Sequence, residues 1–113
     1  MHEMSIARSM IDIIEDEMRR HNAKVLRAVH VNIGRFSSIV PEALTFCFEI
    51  MTKDTDIDGA RLVIDIIPLM GRCVSCDKEF EITDYSFLCP FCGGIKLDTI
   101  SGQELSVVGI EVD

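Results

Sequence analysis

The sequence predicts an α+β fold: a small three-stranded sheet with two helices, plus an inserted four-cysteine zinc-ribbon module. Three observations carry that reading. An early stretch repeats its apolar residues at helical spacing, and a second does the same after a proline. Three other stretches alternate or run apolar over strand lengths. Four of the five cysteines fall in two matched Cys-x-x-Cys pairs.

Residues 4–21 form the first predicted helix, because Ala7, Ile11, Ile14 and Met18 recur on one face and Ile6, Met10 and Ile13 widen the stripe. Glu15 with Arg19 and Asp16 with Arg20 stand at i, i+4 in the favoured acid-first order. Asn22 suits a left-handed stop. Residues 25–33 then switch to period two, with Val25, Val29, Val31 and Ile33 on one face and His30 and Asn32 on the other. Gly34 punctuates the strand.

Pro41 fits the first position of the second helix, and Leu44, Cys47, Phe48 and Met51 make its apolar face, with Phe46 and Ile50 beside it. A polar loop over 52–59 leads to an apolar strand at 61–67, closed by Pro68. Ser101-Gly102 turns the chain into a last strand, about 104–112. That strand is too short to stand alone and should rejoin the main sheet. The expected division is therefore a lobe of 1–70 and 98–113, with the ribbon, 71–97, as an insertion.

The pairs are Cys73-Val74-Ser75-Cys76 and Cys89-Pro90-Phe91-Cys92. In each, two thiolates leave one tight turn on the same side, as two corners of a tetrahedral zinc site require. Gly93 and Gly94 let the backbone fold under the metal and point N–H groups at the sulfurs. A thioredoxin-like redox centre would need one such motif beside a βαβ unit, and structural disulfides would suit a secreted chain. Zinc is the expected ion, one per chain. A four-thiolate site is filled by protein and leaves no position for a substrate, so the ribbon alone does not state a function.

At 113 residues the chain makes one domain with a small module, and its 48% hydrophobic and 27% charged content suits a soluble globular protein. Met1 is followed by His2 and Glu3 rather than by a basic and then an apolar run, so no signal peptide is expected. No apolar run reaches the ~20 residues of a membrane span. Reduced cysteines without an export signal predict a cytoplasmic protein. The formal charge of −8 repels phosphate backbones. Within 71–97, Arg72, Lys78 and Lys96 face Asp77, Glu79, Glu81 and Asp84, which argues against nucleic-acid binding.

Several residues resemble sites without being read as such. Asp54, Asp56, Asp58, Gly59 and Asp65 imitate a calcium loop, but the residues after it read as strand where an EF-hand needs helix. Cys47 belongs to a core stripe, His21 ends a helix where positive charge suits the dipole, and His30 sits among aliphatic neighbours. Nothing in the sequence brings Cys47 and His30 together as nucleophile and base.

Met1-His2-Glu3 carries the remaining chemistry. The terminal amine, the His2 amide nitrogen and the imidazole Nδ1 can close two fused chelate rings. Glu3 can add a donor through its backbone nitrogen or its carboxylate. Such N,O ligation suits Ni²⁺ or Cu²⁺. The bland alternative is a frayed start or a helix cap, with Glu3 complementing the dipole.

The opening Met1-His2-Glu3-Met4-Ser5, the stretches Val31-Asn32-Ile33-Gly34 and Phe46-Cys47-Phe48-Glu49, and the spacing of Cys73, Cys76, Cys89 and Cys92 are similar to the HypA/HybF family. These are nickel metallochaperones of [NiFe]-hydrogenase maturation, and the resemblance covers essentially the whole chain. It implies that His2 binds nickel with the Met1 amine and Glu3 assisting, that the four cysteines hold structural zinc, and that nickel is exchangeable cargo. It implies as partners a nickel-handling maturation GTPase, the hydrogenase large subunit and, in some bacteria, urease maturation proteins, and it is compatible with a homodimer. Some members carry an acidic residue just before the second helix; here the position is Val40, which leaves most nickel donors to the N-terminus.

The leading reading is therefore a cytoplasmic carrier without catalytic turnover. A zinc-ribbon adaptor that assembles maturation factors without carrying nickel is the alternative, separable by nickel titration. A nucleic-acid ribbon would be retained on DNA at low salt. A cysteine oxidoreductase would release its zinc under mild oxidant.

Overall fold

The computed structural model describes residues 2–113, so Met1 and its amine lie outside the described residues. The elements run α1 (His2–Arg20), β1 (Leu26–Gly34), α2 (Pro41–Thr52), β2 (Arg61–Ile67), β3 (Met70–Cys73), β4 (Glu79–Glu81), β5 (Leu97–Ser101) and β6 (Leu105–Val112).

The α1 helix buries Ala7, Met10, Ile11, Ile14 and Met18, while Ile13 on the edge of the stripe stays exposed. Its end is a Schellman motif. Ala23 N–H donates to Met18 O at 2.9 Å, Asn22 N–H donates to Arg19 O at 3.2 Å, and Asn22 is left-handed with φ 53. Asp16 meets Arg20 at 3.3 Å as the spacing predicts. Arg19 leans to Asp16 and Glu15 to Arg8, both at 3.9 Å, so the expected Glu15–Arg19 pair is replaced. These exposed pairs contribute little either way.

The main sheet has the order β2-β1-β6. Its central strand, β1, is nearly continuous in burial, which is why Ala28 and Val29 are both inaccessible despite the alternation in sequence. Gly34 N–H donates to Glu104 O at one end of β1, and Asp113 N–H donates to Val25 O at the other, so β6 returns antiparallel to it. The α2 helix, which crosses from β1 to β2, packs against α1 and buries Leu44, Cys47 and Phe48. Phe46 and Ile50 are exposed. Thr52 Oγ1 donates back to Phe48 O at 2.8 Å in the last turn.

The chain divides into two compact units, one of 1–32, 39–65 and 106–113, the other of 33–38 and 66–105. The second unit contains the expected ribbon, 71–97, and extends beyond it on both sides. Its sheet has the order β4-β3-β5, antiparallel throughout, with Gly71 opposite both Phe80 and Thr99. These three short strands add to the three read from sequence. Segment 33–38 joins this unit through Arg35 N–H to Ile67 O at 2.8 Å and Phe36 N–H to Gly102 O at 2.7 Å. Phe36 also meets Tyr85 and Phe87 edge-on, with centroids 5.6 and 6.0 Å apart. Among the described residues, no helix is long and apolar enough to cross a membrane.

Candidate metal centres

The cysteine cluster is built from two copies of one turn. In the first, Asp77 N–H donates to Cys73 O at 2.8 Å and Cys73 N–H to Lys78 O at 3.0 Å. In the second, Gly93 N–H donates to Cys89 O and Cys89 N–H to Gly94 O, both at 2.9 Å. The left-handed residue needed to close the turn is Gly93 (φ 76) in one copy and Asp77 (φ 64) in the other. Asp77 is thus a structural member of the site that sequence reading passed over. Superposing the two Cys-x-x-Cys motifs would have found it, since both residues directly follow the second cysteine.

These turns aim four sulfurs at one point. All four Sγ atoms lie within 4.8 Å of one another, with Cys73 to Cys92 at 3.5 Å and Cys76 to Cys89 at 3.6 Å. Four thiolates at about 2.3 Å from a tetrahedral zinc would stand about 3.8 Å apart, so the donor set fits that ion. Backbone crowds the sulfurs as well: a Cβ on Gly94 would sit 3.3 Å from both Cys73 Sγ and Cys92 Sγ. Phe91 N–H donates to Cys89 Sγ at 3.4 Å, the kind of contact expected of the loop beneath a thiolate site. Over the Phe91 ring, Lys78 Nζ stands 4.7 Å from the centroid.

Without a cation, four converging sulfurs cannot all ionise. The N–H of Cys76 pulls the Cys73 thiol below its ordinary 9.0 against the effect of burial, helped by the Ser75 N–H and the neighbouring thiols. Burial raises Cys89, but the N–H groups of Cys92 and Phe91 and the nearby thiols outweigh it and bring it to about 6. Cys92 gains from the Gly94 N–H, yet the Cys73 and Cys89 sulfurs push it up to about 12. Cys76 gains from the Lys78 N–H, but burial and the Cys89 and Cys73 sulfurs leave it raised. The cluster therefore splits into easily ionised and reluctant members. A divalent cation at its centre removes the conflict.

At the other candidate centre, His2 and Glu3 lie inside the first turn of α1, earlier than the predicted start at residue 4. The His2 side chain is 60% exposed, whereas Glu3 is buried. His2 Nε2 stands 3.4 Å from Glu3 Oε2, and the same oxygen accepts a hydrogen bond from Val40 N–H at 3.3 Å. N–H groups of Glu3 itself and of Val40 hold the Glu3 carboxyl below its ordinary value, against burial, with His2 assisting. No sequence signal pointed to the Val40 contact, because it is made by main chain.

The remaining candidates are inert. Among the described residues, the cysteines are the one group of three or more His, Cys, Asp or Glu that can hold a metal, so the calcium-like aspartates converge on nothing. Asp58 instead accepts from Asp54 N–H at 3.0 Å as a loop brace. Cys47 is 2% exposed, in the core. His30 pairs through Nε2 with Glu111, a cross-strand partner that its aliphatic neighbours in sequence did not suggest. His21 stands 3.6 Å from Glu17, one helical turn back.

The family model described as "Hydrogenase/urease nickel incorporation, metallochaperone, hypA" matches residues 1–112. The chain is 43% identical to a hydrogenase maturation factor HypA of Geotalea uraniireducens and 44% identical to that of Geobacter metallireducens. Both comparisons run over 113 residues and cover the whole of each chain. Among solved structures, the solution structure of the Ni metallochaperone HypA from Helicobacter pylori matches with a TM-score of 0.69 at 20% identity, covering 97% of this chain and 96% of that one. A second solution structure, of a HypA protein, matches with a TM-score of 0.70 at 22% identity, covering 99% and 96%. At these identities the two structures speak for the fold.

Proposed function

The chain belongs to the HypA family, and on that premise we propose that it is a nickel carrier that binds Ni²⁺ at its N-terminus and delivers it for maturation of a [NiFe]-hydrogenase, with urease as a second class of recipient. The family match over the length of the chain is the observation that carries this reading. The chain works by binding and release, not by turnover, and it does so in the cytoplasm. Its partners are a nickel-handling maturation GTPase and the hydrogenase large subunit.

The two units divide the labour. In the cysteine unit, Cys73, Cys76, Cys89 and Cys92 hold one structural zinc, whose binding holds together a segment with a small core of Leu69, Cys73, Ile82 and Cys89. In the helical unit, His2 binds nickel with the Met1 amine, and Glu3 assists. Nickel needs a site from which it can leave, and an exposed imidazole at the start of a helix provides one.

Metal analysis of the untagged protein after nickel loading and desalting tests the assignment. About one tightly held zinc and about one nickel removable by a mild chelator per chain is the expected result. Zinc alone would favour the adaptor reading.

A further inference from the structure

We propose that the Glu3 carboxylate is a positioning residue, which anchors the N-terminus of α2 and orients the His2 ring, rather than a nickel donor. The orienting half rests on the nickel reading above; the anchoring half does not.

Burial is the first observation. Glu3 is 7% exposed, and with Thr52 it makes up the buried polar and charged residues among those described. A carboxylate taken out of water needs partners that favour its charge. It has them in Val40 N–H at 3.3 Å and, toward the surface, His2 Nε2 at 3.4 Å from the same oxygen.

The second observation is what α2 lacks. Val40 occupies its N-cap with extended geometry (φ −88, ψ 113) and makes no side-chain cap, and Pro41 follows at the first helical position. Valine has no oxygen to offer the first turn, and proline has no N–H to contribute. Leu44 N–H bonds to Val40 O at 3.0 Å, so the helix begins there without a local acceptor for Val40 N–H itself. Glu3 supplies that acceptor from another helix, together with a negative charge where the α2 dipole is positive.

The consequence concerns the ring. With Nε2 turned to Glu3, Nδ1 is the ring nitrogen on the side that can close a chelate ring with the His2 main chain, the usual division of labour in a carboxylate–histidine–metal arrangement. Both contacts fall on Oε2, so drawing that oxygen onto the metal would weaken the hydrogen bond it accepts from Val40 N–H.

Amide exchange of the metal-free protein tests the anchor, and nickel titration with absorption spectra tests the orientation. In Glu3→Ala, exchange at Val40 should accelerate at least tenfold, and nickel affinity should fall 10- to 100-fold, the usual cost of losing an outer partner of a ligand. Band positions of bound nickel should not move, because the donor set is intact. Glu3→Gln keeps an acceptor oxygen and should restore slow exchange and most of the affinity. A shifted nickel spectrum in Glu3→Gln would make the carboxylate a donor and overturn the proposal. Unchanged Val40 exchange in Glu3→Ala would overturn the anchor. Should His2→Ala keep the wild-type nickel affinity, the nickel reading and the orienting role fall together, while Val40 exchange still decides the anchor.

Discussion

A β-carbon built on Gly34 would lie 2.2 Å from both the carbonyl carbon and the oxygen of Gly102. Gly102 is itself left-handed (φ 105), and a Cβ on it would come within 2.4 Å of Leu69 Cα. Main chain therefore touches main chain where segment 33–38 joins the cysteine unit. Gly34→Ala and Gly102→Ala should each destabilise that unit by more than ~3 kcal/mol, since backbone rather than a flexible side chain must move. The double variant should cost less than the sum, because both changes open the same contact. Gly109→Ala, with nothing within 4 Å, is the control and should be close to neutral. Urea unfolding of the wild type and these four variants measures all of this.

Removing one sulfur should empty the zinc site. In Cys73→Ala or Cys92→Ala, zinc content should drop from about one per chain to near none, and the signals of β3, β4 and β5 should lose dispersion. The helical unit should keep its far-ultraviolet circular dichroism, because its core of Ile14, Leu44, Val29, Val31 and Phe48 contains no metal ligand. Full zinc retention in either variant would contradict the four-sulfur site.

Zinc should leave the site as pH falls, because protons compete for the four thiolates that hold it. The signals of β3, β4 and β5 should lose dispersion together with the zinc, while the helical unit keeps its circular dichroism. Zinc content and spectra followed across an acid titration check this, and a segment that stays dispersed after its zinc has left would contradict metal-dependent folding.

Phe48 is 1% exposed, the largest of the fully buried side chains. Phe48→Ala should cost roughly 3–5 kcal/mol, the usual range for a buried aromatic replaced by alanine. Phe46→Ala, two residues away on the same helix but 62% exposed, should cost under about 1 kcal/mol. Thermal unfolding separates the two directly.

Much of this was legible in the chain. The strand at 61–67 and the helix starting at Pro41 stand where apolar pattern and proline place them, because both signals are local. Asn22 stops α1 as its tolerance of left-handed backbone predicts. The three strands around the cysteines were not legible. They are three to five residues long, and their register depends on Gly71 pairing to both sides rather than on alternation. Nor could Gly34 show that it ends a strand of one sheet while its contact with Gly102 fixes the segment to the other unit, a relation between residues far apart in sequence. At the candidate sites, cysteine spacing carried the sulfur cluster, because ligand types are written in side chains. The Val40 N–H that holds Glu3 left no trace, since every non-proline residue has one.

Nickel binding at the N-terminus is the central claim, and calorimetric titration of nickel into three proteins tests it most directly: the chain beginning at Met1, the same chain extended before Met1, and His2→Ala. Chelation through the amine and the imbedded His2 main-chain and ring nitrogens predicts about one nickel per chain for the first. It predicts weakening of at least tenfold in both of the others, with zinc content and helicity unchanged and with nickel released as acid protonates the donors. Wild-type nickel affinity in His2→Ala would contradict the site, and wild-type affinity in the extended chain alone would remove the amine from it.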